Sequence, residues 1–320
     1  MCNTKIKGVR SMKEFVNESN EMTMKEEKRM LWYRKAAEQG NVMAQYELGC
    51  AYYLGLHGAE PNDEESAKWF RKAAEQGDAN AQTYYGRFCC HGKGVEKDLA
   101  EGVKWYRKAA EQGNSEAQFH LGACYFRGRG VEQDQAKGIE WAEKSASQGY
   151  YLALHNLALC YLAGGGVAVD EAKAVDLLKK ASETSYAPSR YKLAKCYYYG
   201  KGVKRDKTMA VCLLHKAAAA HYPKAACFLG DLYYEGKVVD QDYEEAVRLY
   251  SDAAILGDVR SLINLGDCYM DGHGVGKDSA KANDLYRRAR EKAEPRSKLK
   301  LLATLKITEE ADELSEEEKD

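Results

Sequence analysis

The chain has 320 residues, of which 45% are hydrophobic and 30% are charged, so it can bury a core and stay in solution. An acidic run over residues 309–320 offsets a mild excess of bases elsewhere to give a net charge of −1, and this balance does not predict nucleic-acid binding. The sequence has neither the ~20 apolar residues of a membrane-spanning helix nor an apolar leader, so we expect a cytoplasmic protein without membrane insertion.

A nine-residue pattern recurs along the chain and defines a repeat. It reads WYRKAAEQG from Trp32, WFRKAAEQG from Trp69 and WYRKAAEQG from Trp105. The first step is 37 residues long, and the six later steps, which end at Leu285, are each 36. A fixed period of this length is typical of stacked units that each bury their apolar face against a neighbour.

A second column of residues runs in phase with the first and indicates another helix in each repeat. These anchors are Leu48, Tyr85, Leu121, Leu157, Leu193, Leu229 and Leu265. A small residue lies four positions before each anchor and another lies one position after it. Because such spacings fall on one helical face, the small residues predict close packing against a neighbouring helix.

Glycines and aspartates separate the two helices of a repeat. Four turns of the form Gly-x-Gly-Val begin at Gly92, Gly128, Gly200 and Gly272. The first glycine favours a left-handed helix C-cap, and an aspartate three residues after each valine favours the N-cap of the second helix. The pattern predicts an all-α fold, a right-handed superhelical solenoid of about seven 36-residue helix-turn-helix repeats.

The two ends of the chain depart from the repeat. We expect a partly disordered N-terminal extension over residues 1–22, a solenoid over 23–307 and an acidic C-terminal tail over 308–320. Thr23 and Glu26 predict a capping box that starts an unpaired second helix. A degenerate first helix is expected after Pro295, with Leu302 and Leu305 sealing the last core.

The repeat resembles the Sel1-like repeat, a relative of the tetratricopeptide repeat. The motif elements that carry this resemblance are a small residue, Leu-Gly, Tyr, Gly-x-Gly-Val, Asp and Lys-Ala-Ala. The resemblance covers about residues 25–294, with local departures at Ser185, His221 and Val238. It implies an adaptor, since Sel1-like proteins hold partners in signalling, in membrane-protein degradation and in bacterial host interaction.

The resemblance also implies an enzymatic alternative. Cysteine-rich relatives join the two helices of each repeat by a disulfide, and some are linked to β-lactam hydrolysis, so the rival function is a hydrolase or a cell-wall-binding protein. Here Cys124, Cys160, Cys196 and Cys268 share one repeat position, and Cys212 is the one cysteine on a predicted second helix. Stacked equivalents lie ~8–10 Å apart, beyond the ~7 Å limit between Cα atoms for a disulfide. We therefore expect ten free thiols and no catalytic residues.

The Cys89-Cys90-His91 segment is a candidate metal site, together with His120 or Cys124 of the next repeat. Adjacent residues of a helix diverge by about 100°, so the three side chains cannot all face one ion. We expect neither a metal nor another cofactor.

The exposed face of the first helices is the candidate partner-binding surface, because in related solenoids it lines the concave groove. Positions +2 and +6 from the anchor point most nearly away from the core, and position +5 flanks them. The candidate residues are Tyr53, Arg87, His91, Phe126, Arg127, Lys195, Tyr198, Tyr199, Asp231, Tyr234, Glu235, Asp267 and Asp271.

This predicted groove is basic in the middle and acidic towards its C-terminal end. Asp231 with Glu235, and Asp267 with Asp271, are like-charged pairs that each destabilise a helix by a few tenths of a kcal/mol. Two interpretations stay open, a patch that binds a ligand and a solvated face with chance clustering. We expect a monomeric adaptor for a protein or peptide, and a self-assembling array is a third alternative.

Overall fold

A computed structural model describes residues 28–293 and Leu302. Within these residues the chain forms helices and no strand. The helices are α1 (28–38), α2 (Val42–Leu54), α3 (Asp63–Glu75), α4 (Ala79–His91), α5 (Leu99–Glu111), α6 (Ser115–Arg127), α7 (Gln135–Ser147), α8 (Tyr151–Ala163), α9 (Glu171–Glu183), α10 (Ala187–Tyr199), α11 (Lys207–Ala219), α12 (Pro223–Glu235), α13 (Tyr243–Ile255), α14 (Val259–Asp271) and α15 (Ser279–Lys292). The chain divides into two compact units, unit 1 up to Ala153 and unit 2 from Leu154.

Aspartate side chains begin the second helices, as the sequence predicted. In α5, the Asp98 carboxylate accepts a hydrogen bond from the Glu101 amide at 2.9 Å. The same contact starts α7, α9, α11, α13 and α15. Each cap satisfies an amide that the helix leaves unpaired and contributes ~1 kcal/mol.

The two glycines of each turn have different roles. Gly92 has a φ of 68°, and its amide donates to the Phe88 carbonyl at 2.9 Å, which closes α4. At Gly94 a Cβ would lie 2.0 Å from the Asp63 carbonyl oxygen. This turn therefore packs against the start of the preceding repeat's second helix, and only glycine leaves room for the contact.

In two repeats of unit 1, α4 with α5 and α6 with α7, the two helices meet at paired glycines. A Cβ on Gly86 would lie 3.0 Å from the Gly102 carbonyl oxygen, and one on Gly122 would lie 2.8 Å from that of Gly138. Helices α2 and α3, α4 and α5, and α6 and α7 pack as hairpins, while α3 with α4 and α5 with α6 join successive repeats.

In unit 2 larger residues occupy the same positions. Ala210 and Ala246 replace the second-helix glycines and are fully buried. The rings of Tyr250 and Tyr286 lie beside Gly230 and Gly266, as the ring of Tyr106 lies beside Gly86 in unit 1. The hairpins are α10 with α11, α12 with α13 and α14 with α15, and α9–α10, α11–α12 and α13–α14 contacts link the repeats.

The predicted all-α fold of packed helix pairs is confirmed within each unit. Leu302 is helical but 41% exposed, so its predicted burial in the last core is wrong. Residues 1–22, Thr23, Glu26, Leu305 and the tail from residue 308 lie outside the described part of the chain. Among the helices that are described, none combines the length and apolarity needed to cross a membrane.

Candidate partner-binding surfaces

The predicted +2 residues of unit 1 make contacts within the stack. Arg87 is half-buried, with its guanidinium 4.4 Å from the centre of the Tyr84 ring. It also lies 3.5 Å from the Glu116 carboxylate of the next repeat. The hydrogen bond from His120 is the main reason that the pKa of Glu116 is lowered. Position +2 therefore does not point into solvent, and the predicted orientation is wrong for Arg87.

The neighbouring aromatic positions of unit 1 are also partly used in packing. Tyr53 lies edge-on to Tyr84 and at a tilt to Phe88, with the Lys93 ammonium 5.1 Å from its ring centre. Phe126 is half-buried.

Two predicted side chains of unit 1 remain exposed, His91 and Arg127. His91 Nδ1 lies 2.8 Å from the Arg87 carbonyl oxygen, and this contact orients the imidazole ring at the end of α4. These two residues are the part of the predicted basic segment that a partner can reach.

At the start of unit 2's candidate surface, Lys195 lies between Tyr191 and Tyr199, about 6 Å from each ring centre. Burial lowers its lysine pKa. Tyr198 packs edge-on against Phe228, whereas Tyr199 is 54% exposed. The accessible part of this segment is therefore the Tyr199 ring.

The acidic candidates of unit 2 lie together around one depression of about 350 Å³. We call this surface the acidic depression. Its lining includes Asp231, Tyr234, Glu235, Asp267, Asp271, Arg260 and Asn264. Glu235 and Asp271 are exposed, so their carboxylates can meet a ligand.

Asp231 is held inside the stack at the base of this depression. Its Oδ1 accepts from the Tyr250 hydroxyl at 3.0 Å and from the Asn264 amide at 2.8 Å. The Arg260 guanidinium lies 2.7 Å from Oδ2 as an ion pair. Burial raises the pKa of Asp231, and the charge of Arg260 opposes that rise.

Asp267 repeats part of this arrangement, because it accepts from the Tyr286 hydroxyl at 2.7 Å. These hydrogen bonds explain why Asp231 and Asp267 can stand four residues before another acid, although such like-charged pairs destabilise a helix. The expected exposure of position +2 is wrong for Asp231 as well.

Sequence reasoning did not single out Arg260 and Asn264. Arg260 lies five residues before its Leu anchor, which is also the position of Glu116 in unit 1. Glu116 pairs with Arg87, whereas Arg260 pairs with Asp231. The opposite charges at equivalent positions, 29 residues apart in both pairs, were the signal that could have identified this contact.

Comparison with known proteins identifies the repeats. The sequence model of the Sel1 repeat matches residues 30–41, 42–78, 79–114, 115–150, 152–183, 187–222, 223–258 and 259–293. The chain belongs to the Sel1 repeat family. Sel1 repeat proteins generally serve as protein-interaction scaffolds.

Two solved Sel1 structures are similar over most of the chain. A protective antigen of uropathogenic Escherichia coli, c5321, is 33% identical with a TM-score of 0.71, and the match covers 83% of this chain. It covers 57% of c5321, so this chain spans little more than half of that protein. A Sel1 repeat protein from Oxalobacter formigenes is 32% identical with a TM-score of 0.70, over 88% of this chain and 79% of its own. Curated protein sequences give no significant match.

The cysteines of this Sel1 chain lie mainly on the first helices. The nine within the described residues are free thiols, and Cys89, Cys196, Cys227 and Cys268 are buried. Burial raises the pKa of the Cys89 and Cys90 thiols to about 11, so neither is poised as a nucleophile or metal ligand at neutral pH. In the same part of the chain, no three His, Cys, Asp or Glu side chains are grouped so as to hold a metal.

Proposed function

We propose that this protein is an interaction scaffold that binds a basic segment of a partner protein at the acidic depression. The observation that carries the proposal is that Glu235 and Asp271, from two successive first helices, expose their carboxylates around one concavity that Asp231 and Asp267 also line. An extended segment with lysine or arginine side chains complements this charge, which favours association and orients the partner.

Tyr234 supplies the aromatic anchor in this proposal. Its hydroxyl lies 2.8 Å from His273 Nδ1, and its ring packs edge-on against Tyr243. His273 in turn stacks on Tyr243 with ring centres 4.6 Å apart. A tyrosine held in this way loses little freedom on binding, and such residues contribute a large share of interface energy.

The test uses a fluorescein-labelled ten-residue peptide of alternating lysine and leucine, with its glutamate–leucine counterpart as the control ligand. Stopped-flow anisotropy should show that Glu235→Gln with Asp271→Asn lowers the association rate and flattens its salt dependence. Tyr234→Ala should mainly speed dissociation. Glu111→Gln, which neutralises an exposed acid of unit 1 outside the candidate surface, is the matched control and should change neither rate. Equal binding of both peptides, or no effect of either acidic substitution, would rule out this surface.

The hydrolase alternative makes a different prediction. A cysteine-rich hydrolase should turn over nitrocefin and contain disulfides, whereas the scaffold proposed here should do neither. Thiol titration of the denatured, non-reduced protein should find close to all ten cysteines. A count lower by four or more would favour the alternative.

A further inference from the structure

A second concavity lies on the other side of unit 2's helix pairs, between the C-terminal ends of α11 and α13. It has a volume of about 490 Å³, and its lining combines apolar residues such as Ala219, Ala226 and Leu249 with the polar side chains of His215, Arg248 and Asp252 at its sides. Ile255 and Leu256 stand at its edge and are 78% and 50% exposed. We call it the apolar pocket.

Smaller side chains in unit 2 account for the apolar pocket. Leu249 stands at the repeat position that Trp105 and Trp141 occupy in unit 1. Ala226 and Leu256 stand where unit 1 has Gln82 and Gln112, whose side chains join across the same interval by a 2.8 Å hydrogen bond. In unit 1 these positions therefore hold an indole ring and a pair of amides. In unit 2 the residues at the same positions line an open space.

The carboxylate that accepts from the indole in unit 1 has a counterpart in unit 2 that pairs with an arginine instead. In unit 1 the indole N–H of Trp105 donates to the Glu101 carboxylate at 2.8 Å, and Trp69 donates to Glu65 in the same way. Glu245 stands at the equivalent position of α13, four residues before Leu249. Arg248 holds its carboxylate with contacts of 2.6 and 2.7 Å.

A strained residue also lines the apolar pocket. His221 has a φ of 55°, in the left-handed region that disfavours residues with a Cβ. Five other repeats place glycine at this position, and Gly257 is the next of them along the chain. The strain puts an imidazole on the pocket lining where glycine would leave none.

We propose that the apolar pocket receives an aromatic side chain, an indole foremost, from a partner protein. The partner's ring takes the space that the chain's own tryptophans fill in unit 1, with Ala226 and Leu249 beneath it and His221 beside it. This site is separate from the acidic depression and does not rest on the function proposed for it.

The first test measures binding of 5-fluoroindole to the full chain by fluorine NMR. We expect saturable binding with a dissociation constant on the order of 1 mM, as befits so small a ligand. Ala226→Gln with Leu256→Gln restores the amide pair of unit 1 and should weaken binding at least about tenfold. Glu235→Gln with Asp271→Asn, at the acidic depression, is the matched control and should bind as the wild type does.

His221→Gly separates binding from folding. It should raise the melting temperature by relieving the strained φ, yet weaken 5-fluoroindole binding about two- to tenfold, through loss of an aromatic contact. A pocket that only reflects poor packing predicts a more stable variant with unchanged binding.

Peptide display then tests the partner's chemistry. Twelve-residue random peptides selected on the wild type should converge on a tryptophan that is not enriched on the Ala226→Gln, Leu256→Gln variant. The proposal is overturned if 5-fluoroindole does not bind saturably, or if wild type and variant select the same peptides.

Discussion

Units 1 and 2 close the same helix ends with different side chains. In unit 1, Gln148 donates to the Gln118 side chain and to the Gly113 carbonyl, and Gln112 makes the equivalent contact with Gln82. In unit 2, Leu256 and Ala226 cannot bond in this way. The backbone, set by caps and close helix contacts, stays the same, so the helix ends can differ without a change of fold.

The ion pairs between successive repeats also differ between the two units. Arg87 with Glu116 in unit 1, and Asp231 with Arg260 in unit 2, join equivalent positions with opposite polarity. Either sign fits the same backbone, and so does an uncharged pair, because Ala123 and Leu152 occupy the equivalent positions one repeat after Arg87 and Glu116.

The largest expected effect comes from the glycine contact that distinguishes unit 1. Gly122→Val should destabilise the protein by about 3 kcal/mol, because its Cβ would already lie 2.8 Å from the Gly138 carbonyl oxygen and 3.2 Å from the Ala142 amide nitrogen. Thermal unfolding followed by circular dichroism measures the change. Arg127→Ala, five residues away and exposed, should stay within ~0.5 kcal/mol of wild type. Equal melting temperatures would contradict the assigned faces.

The next effect is a pH dependence specific to unit 2. His155 is 6% exposed, with Nδ1 2.9 Å from Ser189 Oγ, and burial, aided by the charge of Lys192, lowers its pKa to about 4. Below pH 6.5, the ordinary pKa of histidine, His155 becomes protonated in the unfolded chain, whereas in the folded chain it stays neutral until the pH approaches 4. Stability should therefore fall between pH 6.5 and 4, by ~3 kcal/mol in total.

The control variant for this prediction carries the residues that unit 1 has at the equivalent positions. His155→Phe with Ser189→Ala reproduces the pair Phe119 and Ala153 one repeat earlier. Denaturant titrations at several pH values should show that wild type loses stability relative to this variant as the pH falls. Parallel curves from pH 7 to 4 would mean that His155 takes up its proton equally easily in both states.

A charge exchange tests whether the polarity of the ion pair matters. Arg87→Asp and Glu116→Arg should each destabilise unit 1 by about 1 kcal/mol, since each leaves like charges together at a half-buried contact. The double variant, which has the polarity of unit 2, should recover most of that loss. A double-mutant cycle measures the coupling, and a coupling near zero would show that the pair contributes nothing to the stack.

The smallest effect concerns the amides at the helix ends. Gln112→Leu removes the donor to the buried Gln82 side chain and should destabilise unit 1 by ~1 kcal/mol. The reciprocal change in unit 2, Leu256→Gln, alters a half-exposed side chain and should stay within ~0.5 kcal/mol. Urea unfolding compares the two, and a larger loss at Leu256 would reverse the assignment.

Much of the fold could be predicted from the sequence because its signals are local. The Asp98 cap and the left-handed Gly92 depend on residues within one turn, and both occur where the pattern predicted them. The acidic residues that line the depression were also predicted, since Glu235 and Asp271 follow directly from the repeat register.

The remaining features depend on which residues of different repeats meet. Asp231 was expected to face solvent, because helical periodicity describes one helix and contains nothing about Arg260, 29 residues on. The apolar pocket was missed for the same reason. The change from Trp105 to Leu249 is visible in the repeat pattern, whereas the space it leaves also depends on Ala226 and Leu256.

The opposite polarity of the two ion pairs has a consequence for deletions of whole repeats. Both members of the unit 1 pair are displaced by 144 residues, four repeats, from those of the unit 2 pair. Unequal recombination that deleted residues 88–231 would keep the repeats in phase, yet it would bring Arg87 against Arg260. Such a shortened descendant would fold with two like charges at a half-buried contact. The reversed polarity therefore makes a deletion with these break points measurable as a loss of stability, whereas a deletion whose break points lie outside both pairs leaves each ion pair intact.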